Sequence, residues 1–207
     1  MDKQATKTAT TLAGKESAAS HGAAKHRDNP AVRAAGWITE LADQPQLIVG
    51  ALGTIGAGLV TRRADLTRGG ARMLAAHLVA TAMKTAIKHR VDRSRPEHEM
   101  DGGGTTLRKG RSDEHELNSF PSGHTAGAVA VARALSRDVE GTALSATLAA
   151  GAVAATQPIT GSHHFSDVVA GAMIGWLAEA MVSAVFDRVE PMVERAWNDA
   201  HLPSIAG

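Results

Sequence analysis

From residue 30 onward, apolar stretches alternate with charged breaks along the chain. Ala31 to Asp43 is a short amphipathic stretch carrying Arg33, Glu40 and Asp43; it predicts either an interfacial helix or a weak first span. Pro45 opens a second stretch, Leu47 to Val60, which ends at Arg62 and Arg63. A third helix is expected from Asp65 to Arg90, with Arg72, His77, Lys84 and Lys88 set among apolar residues. Residues 92–119 break the pattern, and Pro96, the Gly102–Gly104 run and many charges predict an exposed loop. Helical patterning resumes from Ser122 to Arg137 and again from Gly141, where Pro158 and Gly161 end it. The last apolar helix is expected from Asp167 to Val185, with Glu179 as its interior charge. Residues 1–28 hold almost no large apolar side chain, too little to offset ordering entropy, so a disordered tail is expected there. No apolar core follows its early lysines, so it does not read as a signal peptide. A polar tail is expected over 191–207, which leaves 29–190 as the folded domain.

Composition sharpens this picture. Ala and Gly dominate the apolar residues and only 3% of residues are aromatic, which is too few large and β-branched side chains for a sheet-rich core. Ala favours helix, and small residues let helices approach closely. The expectation is an all-α bundle of five to six helices. Mean hydropathy is −0.11, and each apolar stretch is near or below the ~20 residues that cross a bilayer. The bundle reads as membrane-embedded, with a soluble Ala-rich bundle as the alternative. Lys and Arg number 22 against 21 for Asp and Glu, so no nucleic-acid partner is implied. The absence of cysteine excludes disulfides, thiolate metal sites and cysteine nucleophiles.

If the helices alternate in direction, Arg62, Arg63, Arg68, Arg72, Arg133, Arg137 and Arg188 fall at one end. The Lys-bearing N-terminal tail joins them if Ala31–Asp43 crosses. Positive-inside logic makes that end cytoplasmic. Three polar segments then meet on the non-cytoplasmic face: Lys88 to Pro96, Pro121-Ser122-Gly123-His124, and Gly161 to Val168 with His163, His164 and Asp167.

Their chemistry suits a phosphoryl group, which needs fixed cations and N–H donors. Lys88 and Arg95 flank a helix end and a Pro turn. Ser122 can cap the helix that Pro121 opens, and Gly123 lets an anion approach the free N–H groups of its first turn. Asp167, four residues after His163, can accept a hydrogen bond from it and fix its tautomer, leaving the other nitrogen to attack phosphorus. Taken singly, these features also suit solvated lysines, a plain helix start and a His-Asp cap.

Together, in this order and spacing, the segments resemble the three signature motifs of the type 2 phosphatidic acid phosphatases, whose superfamily includes vanadium haloperoxidases and soluble class A acid phosphatases. The resemblance covers roughly residues 45–186. It implies a phosphatase acting on lipid phosphate monoesters or pyrophosphates through a phosphohistidine at His163, oriented by Asp167. It implies His124 as the general acid, and Lys88, Arg95, Ser122 and the Gly123 amide as the phosphate cradle. It implies no metal ion and no cofactor, a lipid phosphate substrate and a cell-membrane setting. His98 and His115 lie in the loop and read as solvated, and His164 reads as a bystander.

One position departs from the family. The third motif usually carries Arg six residues before the nucleophile, and here Gln157 follows Thr156 instead. Gln keeps a donor but loses charge and fork; a charge-assisted bond is worth roughly 1.5–3 kcal/mol against about 1 for a neutral one. Arg93 or Arg90 is expected to compensate. Gln157 also favours a non-catalytic bundle of the same fold, while His124, His163 and Asp167 argue against it. A vanadium-dependent haloperoxidase needs tighter oxyanion binding than this site promises, and the long uncharged segments disfavour a soluble acid phosphatase. His77 and Lys84 share a helix face with Lys88 that turns either to a substrate groove or to the bundle interior. Trp37 and Trp176 read equally as interface anchors or as core.

Overall fold

In the computed structural model, which describes residues 3–201, eight helices bring the three polar segments together at one end. After α1 (Lys3–Ala24) come α2 (Pro30–Thr39), a single 3-10 turn (Glu40–Ala42), α3 (Gln44–Thr61) and α4 (Ala64–Lys88). The loop region contains β1 (Val91–Arg93), the one-turn α5 (Pro96–Met100), β2 (Leu107–Lys109) and a second 3-10 turn (His115–Leu117). The chain closes with α6 (Gly123–Asp138), α7 (Ala143–Ile159) and α8 (Phe165–His201). The five long helices from α3 onward form the bundle, with α6 packed against α3, α4, α7 and α8.

Small residues set its geometry. Ala51, Ala76, Ala80, Ala126, Ala130, Ala134 and Ala178 form the core with Met73, Ile174 and Val182. Gly171 and Gly175 lie one turn apart on α8. A Cβ at Gly171 would sit 2.5 Å from the Ser122 carbonyl oxygen, and one at Gly175 would sit 2.4 Å from that of Ala126. Backbone-to-backbone approach of this kind is what small residues four apart permit, and it seats α8 directly on the start of α6.

A charged network ties the opposite end. Arg72 is 3% exposed and pairs with Asp138 at 2.8 Å and with Asp187 at 3.2 Å, its guanidinium 4.8 Å from the Phe186 ring centroid. Glu179 is fully buried and accepts from Arg133 at 2.9 Å, from Arg137 and from Ser183. Such buried pairs add little net stability, but breaking one is costly, so they fix the register of α4, α6 and α8.

The termini differ from the sequence expectation. Instead of a disordered tail over 1–28, α1 is helical and docked. Glu16 accepts from Arg93 (3.1 Å) and from the Ser166 amide (2.7 Å), while Ser17 and His21 bond to Glu99 at 2.8 and 2.9 Å. Ala-rich sequence forms helix readily, and hydrogen bonds rather than apolar burial dock it. Ten residues of α2 span only ~15 Å, so α2 does not cross the bundle. Glu16 to Arg27 therefore lie beside the 92–101 and 161–167 loops, not at the Arg62–Arg63 end. At the other terminus α8 continues through Pro191 to His201, into the stretch expected as a polar tail, of which 202–207 lie outside the described residues. The 92–119 loop carries a two-stranded antiparallel ribbon pairing Val91 with Lys109 and Arg93 with Leu107, a small β element within the all-α fold.

Candidate active site

The three polar segments converge, and main-chain carbonyls join them. His163 Nδ1 lies 2.7 Å from the carbonyl oxygen of Ser119, just before the second motif. The Ser122 amide donates to the Asp167 carbonyl at 3.0 Å, which locks the second motif to the third. Lys88 Nζ donates to the Asn118 carbonyl at 2.7 Å. Arg95 Nη1 donates to the Ser162 carbonyl at 3.0 Å, and its Nε donates to that of His115 at 2.9 Å. Lys88, Arg95, the 118–124 segment and His163 thus occupy one locus, as the motif spacing predicts.

The histidine is held differently from expectation. His163 precedes α8, so its offset of four from Asp167 is not a helical turn, and the carboxylate stops 3.8 Å from Nδ1. A carbonyl only accepts, so the Ser119 bond requires a proton on Nδ1 and leaves Nε2 with its lone pair. Fully buried Asp167 instead accepts from Ser119 Oγ (2.5 Å), the His164 amide (2.8 Å) and Arg93 Nη1 (2.6 Å). It is an anionic brace beside the ring. Burial pushes the His163 imidazole down to about 4, further than Asp167 restores, and the charges of Arg95 and Lys88 act in the same direction. The resting imidazole is neutral. Burial also lowers Arg95, against the opposing pull of Glu97 and Asp167.

Ser122 is fully buried and its hydroxyl is committed to capping α6, accepting from the Thr125 amide at 3.4 Å and pairing with the Thr125 hydroxyl at 3.0 Å. Its side chain organises the helix start, and Gly123 presents the first amide of α6. Gln157 is 2% exposed. Its side-chain amide donates back to the Val153 carbonyl at 3.2 Å, and its own carbonyl receives the amides of Ser162 and His163. The residue in the Arg position therefore holds the His163 loop through its backbone and supplies no charge.

Arg93 does not fill that role either. Its guanidinium is shared among Asp167, Ser166 and Glu16, and Arg90 is exposed. His164, read as a bystander to the chemistry, packs the site from behind. It is buried, with Nε2 3.2 Å from the Ser94 carbonyl and 3.6 Å from Glu99, and so ties the 94–99 segment to α8. His98 packs its ring against Gly103. His115 is exposed and contributes only its carbonyl, to Arg95.

His124 and Gln157 line a cavity of about 320 Å³ with Ser162, Glu97, Thr39 and Trp37, and with Arg27 and Arg33 from the α1–α2 segment. Opposite His124 stand two carboxylates that sequence spacing did not flag. Asp43 is the N-cap of α3, yet its side chain makes no capping bond and lies 3.7 Å from His124 Nε2. Glu40, Asp43 and His124 each bring one ligand atom within 4.8 Å of the others, a spacing that could also hold a cation. Beside this cavity runs an apolar groove of about 510 Å³ between α6, α7 and the Ala35–Leu47 segment. Ala132, Ala149, Val153 and Leu135 line it, and Thr39 borders both spaces.

The sequence profile of the PAP2 superfamily matches residues 69–190. This chain belongs to the PAP2 superfamily. Its fold resembles that of a transmembrane PAP2-type phosphatidylglycerolphosphate phosphatase from Bacillus subtilis, with a TM-score of 0.62 at 20% identity over 86% of this chain and 88% of that one. Aquifex aeolicus LpxE is also similar, at 19% identity and a TM-score of 0.42, over 71% of this chain and 93% of that one. No curated protein matches the sequence.

Proposed function

We propose that this PAP2 protein is a membrane-embedded, metal-independent phosphatase acting on lipid phosphate monoesters or pyrophosphates through a phosphohistidine at His163. The supporting observation is the junction of the three segments, in which an uncharged imidazole with a free Nε2 stands among Lys88, Arg95 and the first amide of α6. In the first step Nε2 attacks phosphorus and a P–N bond forms. The P–O bond to the leaving group breaks, and His124 transfers a proton to the departing oxygen. Lys88, Arg95 and the Gly123 amide balance the charge on the equatorial oxygens. In the second step His124 takes a proton from water, water oxygen attacks phosphorus, and the P–N bond breaks to free His163. Asp167 stabilises the imidazole while it is cationic.

Two features favour a lipid substrate. The polar cavity at His124 and the apolar groove share Thr39, so a phosphate in one leaves a hydrocarbon chain next to the other. Large apolar side chains also face outward around the bundle, among them Leu52, Leu59, Leu144, Leu148, Met173 and Val185, a belt that suits lipid better than water. Phe165–Met192 of α8 is long and apolar enough to cross a bilayer, with a hydropathy of 1.8. Trp37 and Trp176 are both exposed, as interface anchors are. The Arg62, Arg63 and Arg188 end is read as cytoplasmic, so the site opens on the other face. The docked N-terminal cations no longer add to that asymmetry.

The test is phosphate release from a panel of lipid phosphates by detergent-purified protein, with and without EDTA, against His163→Ala. Activity that survives EDTA and vanishes in the variant is expected. Equal rates in both proteins would remove the enzyme reading, and loss on chelation would turn attention to Glu40, Asp43 and His124. Because the chain lacks cysteine, a single Cys placed at Ser112 and probed with an impermeant maleimide reports which face the loops occupy.

A further inference from the structure

The polar face of α4 points into the bundle and meets glycine after glycine on its neighbour. His77 is 2% exposed and lies against Gly127, where a Cβ would come within 3.3 Å of its Nδ1. Seven residues on, Lys84 reaches the start of α6, and a Cβ on Gly123 would sit 2.7 Å from Lys84 Nζ. One further turn along, Lys88 Nζ bonds to the Asn118 carbonyl. Lys84 and Lys88 therefore flank the 118–123 segment, whose far end presents the first free amides of α6.

Lys84 has neither an ion-pair nor a hydrogen-bond partner among the described residues, whereas Lys88 and Arg95 bond to main-chain carbonyls and Arg93 is held by Asp167 and Glu16. Asp43 is the carboxylate whose charge reaches Lys84, and it stands beside His124. A half-buried ammonium without a bonded counter-ion is costly unless an anion completes it. The Arg that the family places in this cradle is Gln157 here, with its amide turned back on Val153.

We propose that Lys84 is a phosphate-binding residue of this site, supplying from α4 the charge that Gln157 lacks. The inference rests on the phosphatase reading. The ammonium and the Gly123 amide grip the same phosphate oxygens, and the missing Cβ at Gly123 leaves Nζ its place there. Asp43 keeps Lys84 and His124 in the site while it is empty.

The test titrates inorganic phosphate by calorimetry into detergent-purified wild type, Lys84→Gln, Lys84→Arg, Gln157→Arg and the double variant Lys84→Gln/Gln157→Arg. Loss of one charge-assisted bond weakens binding roughly 10- to 100-fold in Lys84→Gln. Lys84→Arg retains most of the affinity, and Gln157→Arg restores it in the Lys84→Gln background. Lys84→Met is made alongside, as an apolar neutral side chain for the half-buried helix face should the glutamine prevent folding. Wild-type affinity in a folded neutral variant overturns the proposal. So does rescue by Asp43→Asn in place of Gln157→Arg, because Lys84 would then serve only to neutralise Asp43. A wild type that neither binds phosphate nor releases it from any lipid phosphate removes the phosphatase reading itself.

Discussion

Replacing Asp167 with Asn separates two ways of holding a catalytic histidine. If the carboxylate fixed the tautomer, its loss would cost about 10⁴ in rate, as in hydrolytic triads. Here the Ser119 carbonyl already holds the Nδ1 proton at 2.7 Å, and Asp167 contributes charge from 3.8 Å. At that distance a carboxylate and an imidazolium attract by about 4 kcal/mol at an effective dielectric of about 20. Arg93, 2.6 Å from the other carboxylate oxygen, cancels part of this. If about half survives, Asp167→Asn raises the barrier by about 2 kcal/mol, roughly a 30-fold loss in kcat. Asn also sets an amide against the ligands of a buried carboxylate, and stability falls by about 3 kcal/mol, since Arg93 keeps Glu16 as a partner. The assay is single-turnover phosphate release from a short-chain lipid phosphate, with rates normalised to the folded fraction by circular dichroism. A 10⁴-fold loss, equal to that of His163→Ala, would refute the claim that the Ser119 carbonyl sets the tautomer. No loss at all would refute the electrostatic brace.

Other consequences follow from the same geometry. His163 titrates near 4 in the fold against 6.5 in the unfolded chain. The unfolded state therefore gains the proton first, and stability held above pH 6.5 declines as pH falls to about 4, by about 3 kcal/mol; melting in detergent across that window checks this, and His163→Gln should lose that part of the slope. Gly171→Ala drives a Cβ to 2.5 Å from the Ser122 carbonyl and should cost about 1–3 kcal/mol together with activity, whereas Gly151→Ala, with open space around it, should keep both. Ala132→Phe fills the apolar groove. If it excludes four methylenes at about 0.8 kcal/mol each, kcat/KM for long-chain substrates drops roughly 200-fold while short-chain substrates are spared. Equal effects on both chain lengths would deny the groove a role in binding the chain.

The bundle and the motif convergence were legible because helical periodicity and three spaced motifs are local signals. The expected bounds of the third helix, Asp65 to Arg90, lie within two residues of α4 for that reason. What escaped reading depends on main-chain contacts. Ser119 precedes a recognised motif, but nothing in its identity announces that its carbonyl would meet His163. The sequence offers Arg93 as a spare cation, but the fold spends its charge on Asp167 of α8 and Glu16 of α1. Scant apolar content predicts no order for α1, but it says nothing of a Glu16 carboxylate that finds an amide and a guanidinium. Nothing in the sequence marks Asp43 and Glu40, which only the fold sets beside His124.

The most direct measurement is a rapid acid-free quench during turnover of a ³²P-labelled lipid phosphate, followed by peptide mapping. Acid-labile, base-stable phosphate should appear on the peptide carrying His163, should fill at the rate of the first step, and should be missing from His163→Ala. Label on another residue, or steady turnover with no protein-bound phosphate at any quench time, would contradict nucleophilic attack by His163.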